Sequence, residues 1–168
     1  METNNLFIQL LMIATFSLAL FCKCSSTRSP SETTTNSRTS SIHNMIDSRQ
    51  FTFVAETVYP LRGSSRTLTS SYDVVVNKDS IISLLPYFGR ASTASLNTSE
   101  SGIKFTSASF SYDVTQSKNN RWGIVIKPQD KHDVQQMDFE IYENGKTTLN
   151  VISTSRDPIS FTGYIKDL

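Results

Sequence analysis

The side chains best suited to bind a ligand stand together in one loop, Pro86 to Arg90, after a short apolar segment. Pro86 fixes the backbone where a strand should stop, and Gly89 permits a turn that other residues resist. Between them, Tyr87 and Phe88 can form an apolar rim for a ligand or a partner. The guanidinium of Arg90 can hold a carboxylate or a sulfate. We therefore predict a ligand- or partner-binding site in this loop.

Arg156 resembles Arg90, because it also follows a predicted strand and adjoins a proline-bounded turn, Asp157-Pro158. It joins the predicted site as a second anion-binding side chain. Both arginines also have a structural interpretation, in which they satisfy loop carbonyls or pair with Asp157 or Glu100, and the sequence favours it. Tyr87 and Phe88 also have a structural interpretation, because they can close an end of the core instead of forming a rim.

Reactive side chains of other kinds are few and scattered along the chain. The histidines are His43 and His132, and the cysteines, Cys22 and Cys24, lie near the N-terminus. Nucleophilic catalysis needs a base beside the nucleophile, and a zinc site needs several nitrogen or sulfur ligands. Three aspartates lack the glycine and the repeated spacing of a calcium loop: Asp130, Asp133 and Asp138. We therefore predict no enzyme activity, no metal site and no cofactor; a hydrolase built on surface carboxylates is a third interpretation without positive support.

The charges of the chain are balanced and dispersed. Lys and Arg number 16 and Asp and Glu number 15, for a formal net charge of +1 at pH 7. A nucleic-acid groove or a surface for anionic membranes needs a concentrated basic face. The composition therefore predicts no nucleic-acid partner, and contact with a membrane only through a lipid anchor.

The N-terminal segment predicts export. Leu6 to Phe21 is apolar apart from three polar residues, and it has the length of the core of a secretory signal rather than of a membrane span. Two ways of processing stay open, namely cleavage before Cys22 with lipidation of its thiol, or cleavage after Cys24. We predict a signal sequence over residues 1–24 and an exported protein, either a periplasmic or outer-membrane lipoprotein or a secreted protein.

The segment after this signal changes character. Residues 25–41 are rich in Ser and Thr and predict a disordered tether, because they cannot bury enough apolar surface to order themselves. A short helix is then predicted from Ile42, with Met45 and Ile46 on the same side. Residues 42–168 form the predicted folded domain.

The rest of the chain alternates apolar and polar residues with the period of two that is typical of β-strands. Eight runs of this kind follow one another, and each contributes side chains to one apolar face. Sequential antiparallel strands bury such a face by closing on themselves or by packing as two sheets. Because eight strands suffice to close a barrel, we predict an all-β, antiparallel, eight-stranded β-barrel, with a β-sandwich as the alternative.

Local signals refine this prediction. The phase of the apolar residues changes across Ser107-Ala108-Ser109, which predicts a bulge within one long strand. Asn144-Gly145 predicts a tight hairpin. Gly163 stands among bulky residues of its own face, which suits a barrel corner or a close backbone contact.

Four motifs occur in a fixed order along the predicted domain: Leu84-Leu85-Pro86-Tyr87-Phe88-Gly89-Arg90-Ala91, Gly102-Ile103-Lys104-Phe105, Asn144-Gly145-Lys146 and Arg156-Asp157-Pro158-Ile159-Ser160-Phe161-Thr162-Gly163. Together with the opening strand that begins at Phe51, they make the stretch from Phe51 to Ile165 resemble the family called domain of unknown function 4251, exported proteins of Gram-negative bacteria that are often lipoproteins. The resemblance implies an envelope location and a lipocalin-like antiparallel β-barrel. It implies no activity.

These observations lead to one principal expectation and one alternative. The principal expectation is a non-catalytic envelope domain that binds a small amphipathic ligand or an envelope protein at one barrel end, through Tyr87, Phe88, Arg90 and Arg156. The alternative is a structural or assembly factor of the envelope whose barrel interior is packed solid.

Overall fold

The structure is a computed structural model, and it describes residues 31–91, 102–117, 121–131 and 133–166. These residues form one helix and nine strands: α1 Ser31–Ser48, β1 Phe51–Pro60, β2 Arg66–Asn77, β3 Ser80–Leu85, β4 Ile103–Ser107, β5 Phe110–Ser117, β6 Arg121–Pro128, β7 Val134–Tyr142, β8 Lys146–Ser153 and β9 Ile159–Lys166. The alternation of buried and exposed side chains is regular in β3 and β9, as in strands that place one face on a core.

The strands form one antiparallel sheet in the order β4-β3-β2-β1-β9-β8-β7-β6-β5. Its two edge strands, β4 and β5, are consecutive in the chain and are separated only by Ala108 and Ser109. The sheet therefore curls until its edges meet at this corner, and it is nearly closed into a barrel. The predicted all-β antiparallel barrel is confirmed, and the single sheet rules out the alternative of a sandwich.

The strand count differs from the prediction at the corner between β4 and β5. The sequence predicted one bulged strand here, whereas the chain changes partner: β4 pairs with β3, and β5 pairs with β6. Ser109 accepts a hydrogen bond on its carbonyl from the amide of Gln129, at 2.7 Å. Two residues without a ladder partner divide the segment, so nine strands replace eight.

The inward faces of the strands supply an apolar core. Phe51 and Phe53 of β1 each meet Phe139 of β7 edge to face, with ring centroids 5.7 and 6.0 Å apart. Trp122 of β6 is buried in the same core, as its phase with the neighbouring isoleucines indicates. Each such aromatic side chain contributes about 1.5–3 kcal/mol by leaving water. The core therefore joins opposite parts of the sheet through contacts across its interior.

Helix α1 covers one end of this core. Ile42, Met45 and Ile46 lie on one helical face and are buried, at 1, 7 and 1% exposure. The helix ends at Ser48, and the next residue, Arg49, has a φ of 56°, the left-handed conformation usual just after a helix. The amides of Arg49 and Gln50 donate to the carbonyls of Ile46 and Met45, at 3.1 and 2.9 Å. These bonds turn the chain directly into β1.

The helix is longer than the sequence indicated. It begins at Ser31 and so occupies residues 31–41, where composition predicted a tether. The buried face from Ile42 to Ile46 provides a fixed end, and a helix with a fixed end adds further turns at little cost. Residues 25–30 of the predicted tether lie outside the described residues, as do the predicted signal sequence and Cys22. No helix in the described ranges is long and apolar enough to span a membrane.

A bulge in β1 and a glycine in β9 shape the sheet beside it. The pairing of β1 with both neighbours shifts between Ala55 and Thr57. Glu56 is the extra residue against β9, whereas four residues of β2, 68–71, stand opposite it on the other side. Gly163 pairs with Ala55, and a side chain at Gly163 would overlap the carbonyl oxygen of Val54. The prediction of a close backbone contact at this glycine is confirmed. The bulge and the glycine together let β1 and β9 approach closely where the barrel bends.

Candidate functional site

The predicted site lies at the end of the barrel away from helix α1, which we call the loop end. Four connections meet there: residues 61–65, 86–91, the described part of the connection between β6 and β7 (129–131 and Asp133), and 154–158. Ala91 forms an isolated antiparallel bridge with Arg156, and the amide of Asp157 donates to the carbonyl of Arg90 at 3.0 Å. The segment after β3 is therefore fixed to the turn between β8 and β9. These backbone bonds place all four predicted site residues at one end of the molecule.

Tyr87 closes this end from inside. Its ring packs on the core. Its hydroxyl shares its single proton between the carbonyl of Arg90, at 2.6 Å, and the carbonyl of Asp157, at 3.1 Å. Burial raises the pKa of the Tyr87 hydroxyl, and the nearby Asp157 carboxylate raises it further. A side chain at Gly89 would overlap this hydroxyl, so the glycine of the motif makes room for the tyrosine. Tyr87 therefore closes the core and does not form a binding rim.

Arg156 holds the connections together. One of its terminal nitrogens donates to the carbonyl of Gly102 at 2.9 Å, and its Nε lies 3.3 Å from an Asp133 carboxylate oxygen. The guanidinium carbon lies 5.2 Å from the centre of the Tyr87 ring, and only 15% of the side chain is exposed. Arg156 therefore has the structural role of satisfying a loop carbonyl. Its acidic partner is Asp133, whereas the sequence had suggested Asp157. Glu100 lies outside the described residues.

Phe88 and Arg90 differ from their neighbours because they face solvent. Phe88 is 39% exposed, and the guanidinium carbon of Arg66 lies 4.9 Å from the centre of its ring. Phe88 and Arg90 line an open recess of about 330 Å³, together with Gly89, Asp157 and two hairpin residues, Arg62 and Gly63. Arg62, Arg66 and Arg90 are all exposed. Three basic side chains therefore surround the Phe88 ring or line its recess, and Asp157 is the acidic residue in that lining.

The predicted residues thus lie together but divide into two roles. Tyr87 and Arg156 support the loop end, whereas Phe88 and Arg90 face the recess. Sequence reasoning missed Arg62, which lines the recess from the hairpin between β1 and β2, and Arg66, which lies over the Phe88 ring from the start of β2. A basic residue on each side of Gly63 was the available signal, but only the pairing of distant strands brings this hairpin to Phe88.

The three aspartates considered for calcium point to different partners. Asp130 accepts hydrogen bonds from the Ser107 hydroxyl at 2.5 Å and the Ala108 amide at 3.2 Å. The bond from Ser107 lowers the pKa of the Asp130 carboxyl. This carboxyl also joins the corner between β4 and β5 to the connection that follows β6. Asp133 bonds to Arg156 and to the Ser155 hydroxyl, and Asp138 accepts from its neighbour Gln136. Within the described residues, no three His, Cys, Asp or Glu side chains are grouped as metal ligands would be.

His43 is the histidine that the described residues include, and it stands apart from the loop end. His43 lies on the exposed side of α1, where its Nδ1 is 2.9 Å from an Asp47 carboxylate oxygen. Its ring meets the edge of Trp122, with centroids 6.0 Å apart. His132 lies outside the described residues. His43 therefore pairs with Asp47 on the helix surface and touches the barrel at the edge of Trp122.

The fold and the recess define a class of protein: a small antiparallel β-barrel domain with a filled core and a helix over one end. The chain belongs to a family described as Domain of unknown function (DUF4251), whose model matches residues 34–165. This agrees with the resemblance drawn from the four motifs. No curated protein matches the chain.

A solved structure shows a similar fold. It is the crystal structure of a DUF4251 family protein from Bacteroides eggerthii, which aligns with a TM-score of 0.57 at 13% sequence identity. The match covers 78% of this chain and 88% of that protein. At this identity the similarity supports the architecture of the barrel.

Proposed function

We propose that this domain binds a small amphipathic anion at the loop end and catalyses no reaction. The observation that carries the proposal is the exposed Phe88 ring, which Arg66 contacts and which lines a recess with Arg62 and Arg90; these three basic residues outnumber the one acidic residue of the lining, Asp157. An anionic group would bond to the arginines, since charge-assisted hydrogen bonds of guanidinium to carboxylate or sulfate are strong. The apolar part of the ligand would lie on Phe88 and on Leu61, which is 61% exposed in the same hairpin.

The support beneath the recess favours binding. Tyr87 and Arg156 fix the backbone that carries Phe88 and Arg90, through bonds to the carbonyls of Arg90, Asp157 and Gly102. A ligand that meets a fixed surface does not have to order it, and this reduces the entropic cost of binding. The proposal therefore places the ligand on the end of the barrel, where no core side chain needs to move.

The test compares an anion with a neutral molecule of the same chain length. We expect dodecanoate to bind to the purified protein in isothermal titration calorimetry, and dodecanol to bind at least about tenfold more weakly, because it cannot bond to arginine as an anion. Phe88→Ala and Arg90→Gln should each weaken dodecanoate binding about tenfold or more. Lys127→Gln, at an exposed position of β6 outside the recess, is the matched control. Equal binding of both ligands, or unchanged binding in both variants, would refute the proposal.

A structural or assembly role in the cell envelope is the second candidate, and the filled core favours it. A barrel whose inward side chains pack on one another can act as a rigid spacer or docking unit. This candidate predicts no small ligand, and it predicts that envelope proteins co-purify with the chain. Loss of such a partner in Phe88→Ala, with the fold intact, would identify the loop end as the contact.

We also propose that the protein is exported to the cell envelope, on the strength of residues 1–24. The apolar run from Leu6 to Phe21 supports a secretory signal, and Cys22 supports lipidation. The intact mass of the protein isolated from its own cells tests both. A chain that begins at Cys22 with added acyl mass would establish the lipoprotein, and a chain that begins at Ser25 would establish simple cleavage. A full-length chain would refute the processing.

A further inference from the structure

A second recess lies on the outer face of the sheet, far from the loop end. It has a volume of about 650 Å³ and follows β7, β8, β9 and the bulge of β1; we call it the outer cleft. Its size falls within the range of ligand-binding sites in proteins. It shares no lining residue with the recess at Phe88, so it needs an explanation of its own.

The middle of the outer cleft is made of hydroxyl groups. Thr148 of β8 and Thr162 of β9 are directly paired across the two strands, and both line the cleft. A threonine hydroxyl donates one hydrogen bond and accepts others. A surface of this kind matches a ligand that itself carries several hydroxyl groups.

Two tyrosines lie beside this polar surface, on the side of the hairpin between β7 and β8. Tyr142 of β7 and Tyr164 of β9 are 39 and 36% exposed, and both line the cleft. Tyrosine is amphipathic, with an apolar ring and a polar hydroxyl. Two such side chains beside a row of hydroxyl groups suit a ligand that has an apolar face and a polar edge.

The charged residues of the cleft are of both signs, namely two cations and one carboxylate. Glu56 enters from the bulge of β1, and Lys146 and Arg38 enter from the hairpin side. Arg38 of helix α1 lies against Gly145, the turn residue before Lys146. A carboxylate in the same cleft disfavours a polyanion, and the two cations disfavour a polycation. Because a hydroxyl group both donates and accepts hydrogen bonds, a neutral ligand with several hydroxyl groups can bond to side chains of both signs.

We propose that the outer cleft binds a neutral oligosaccharide. A sugar ring presents C–H groups on its face and hydroxyl groups at its edge, and this combination fits the tyrosine rings and the threonine hydroxyls. Glu56, Lys146 and Arg38 supply strong acceptors and donors for further hydroxyl groups. The bulge, the hairpin and the helix hold these groups around the cleft, so the site is present before the ligand arrives.

The experiment uses five neutral trisaccharides, namely maltotriose, cellotriose, xylotriose, mannotriose and chitotriose, with the purified protein. We expect saturation-transfer NMR to detect at least one of them and titration calorimetry to give its affinity. Tyr142→Ala and Tyr164→Ala should each weaken that affinity about tenfold, whereas Tyr142→Phe should retain most of it, because the ring remains. Tyr59→Ala is the matched control. It removes a tyrosine that is 45% exposed and lies outside the cleft, and it should leave the trisaccharide affinity unchanged.

Two further variants separate a binding role from a structural one. Thr148→Val keeps the shape of the side chain and removes its hydroxyl, so it should weaken the sugar without lowering the thermal midpoint. Phe88→Ala should leave the sugar affinity unchanged, which makes the result independent of the anion proposed for the loop end. The proposal is overturned if none of the five trisaccharides binds, or if binding survives the loss of both Tyr142 and Tyr164.

Discussion

Helix α1 places three apolar side chains on one end of the core, whereas hydrogen bonds and an ion pair close the loop end. At the helix end Ile42, Met45 and Ile46 are buried. At the loop end Tyr87 and Arg156 bond to the carbonyls of the connections. Apolar side chains that close an end of the core are buried and cannot contact a ligand. Hydrogen bonds that close an end fix the backbone and leave neighbouring side chains exposed to solvent. For this reason the exposed aromatic and cationic groups of the recess stand at the loop end.

The largest expected effect concerns the apolar closure. Ile46→Ala should lower the free energy of unfolding by about 2–5 kcal/mol, because it removes buried methyl groups and leaves a cavity under the helix. Asn44→Ala, on the exposed side of α1, is the control and should change stability by less than about 0.5 kcal/mol. Urea denaturation followed by circular dichroism measures both. Equal effects of the two changes would show that the helix does not close the core.

A smaller effect is expected for the polar closure. Arg156→Gln should lower the free energy of unfolding by about 1–3 kcal/mol, because the Gly102 carbonyl and the Asp133 carboxylate lose a charged partner. Arg90→Gln should leave stability within about 0.5 kcal/mol of the parent, since its side chain is exposed. The same denaturation experiment compares them. A cost in Arg90→Gln as large as in Arg156→Gln would contradict the division of roles at the loop end.

The smallest effect compares one tyrosine at each end. Tyr112 donates to the Ile46 carbonyl at 3.0 Å, and burial raises its pKa strongly; burial also raises the pKa of Tyr87, less strongly. A raised pKa means that the folded state holds the proton better than the unfolded state. The stability it supplies is complete below about pH 10, the usual tyrosine pKa, and is lost as the pH rises through the folded-state value.

We therefore expect the free energy of unfolding to fall between about pH 10 and 11.5, where unfolded tyrosine ionises. The fall should be reduced in Tyr112→Phe and reduced less in Tyr87→Phe. Tyr59→Phe, at an exposed position, should follow the parent protein. An equal reduction in the variants at the two ends would contradict the stronger burial at the helix end.

Most of the fold could be predicted from the sequence because strands with one buried face leave a periodic signal. The strand around Phe139 and the hairpin at Asn144-Gly145 both lie where alternation and turn chemistry place them. The division at Ala108 could not be predicted, since alternation shows which face is buried but not which strand is the partner. The start of α1 at Ser31 also escaped prediction. Its first turns extend a helix that is fixed at its other end by the buried side chains from Ile42 to Ile46.

The candidate site could be located from sequence but not interpreted. A loop with Pro86, two aromatic residues and Gly89 indicates side chains held at a strand end. It does not show which of them turns inward. The inward position of Tyr87 depends on two carbonyls, one of them at Asp157, and the exposed position of Phe88 depends on a hairpin that carries Arg66.

The sequence by itself determined the all-β class, the inward face of each strand and the place of the loop with its candidate residues. These features follow from alternation, turn residues and backbone freedom, which act between neighbours in the chain. Only the tertiary structure decided how the barrel closes, which residues support the loop end and which face solvent. The partners that decide these points, such as Asp133 for Arg156 and Arg66 for Phe88, are brought together only when distant strands pair.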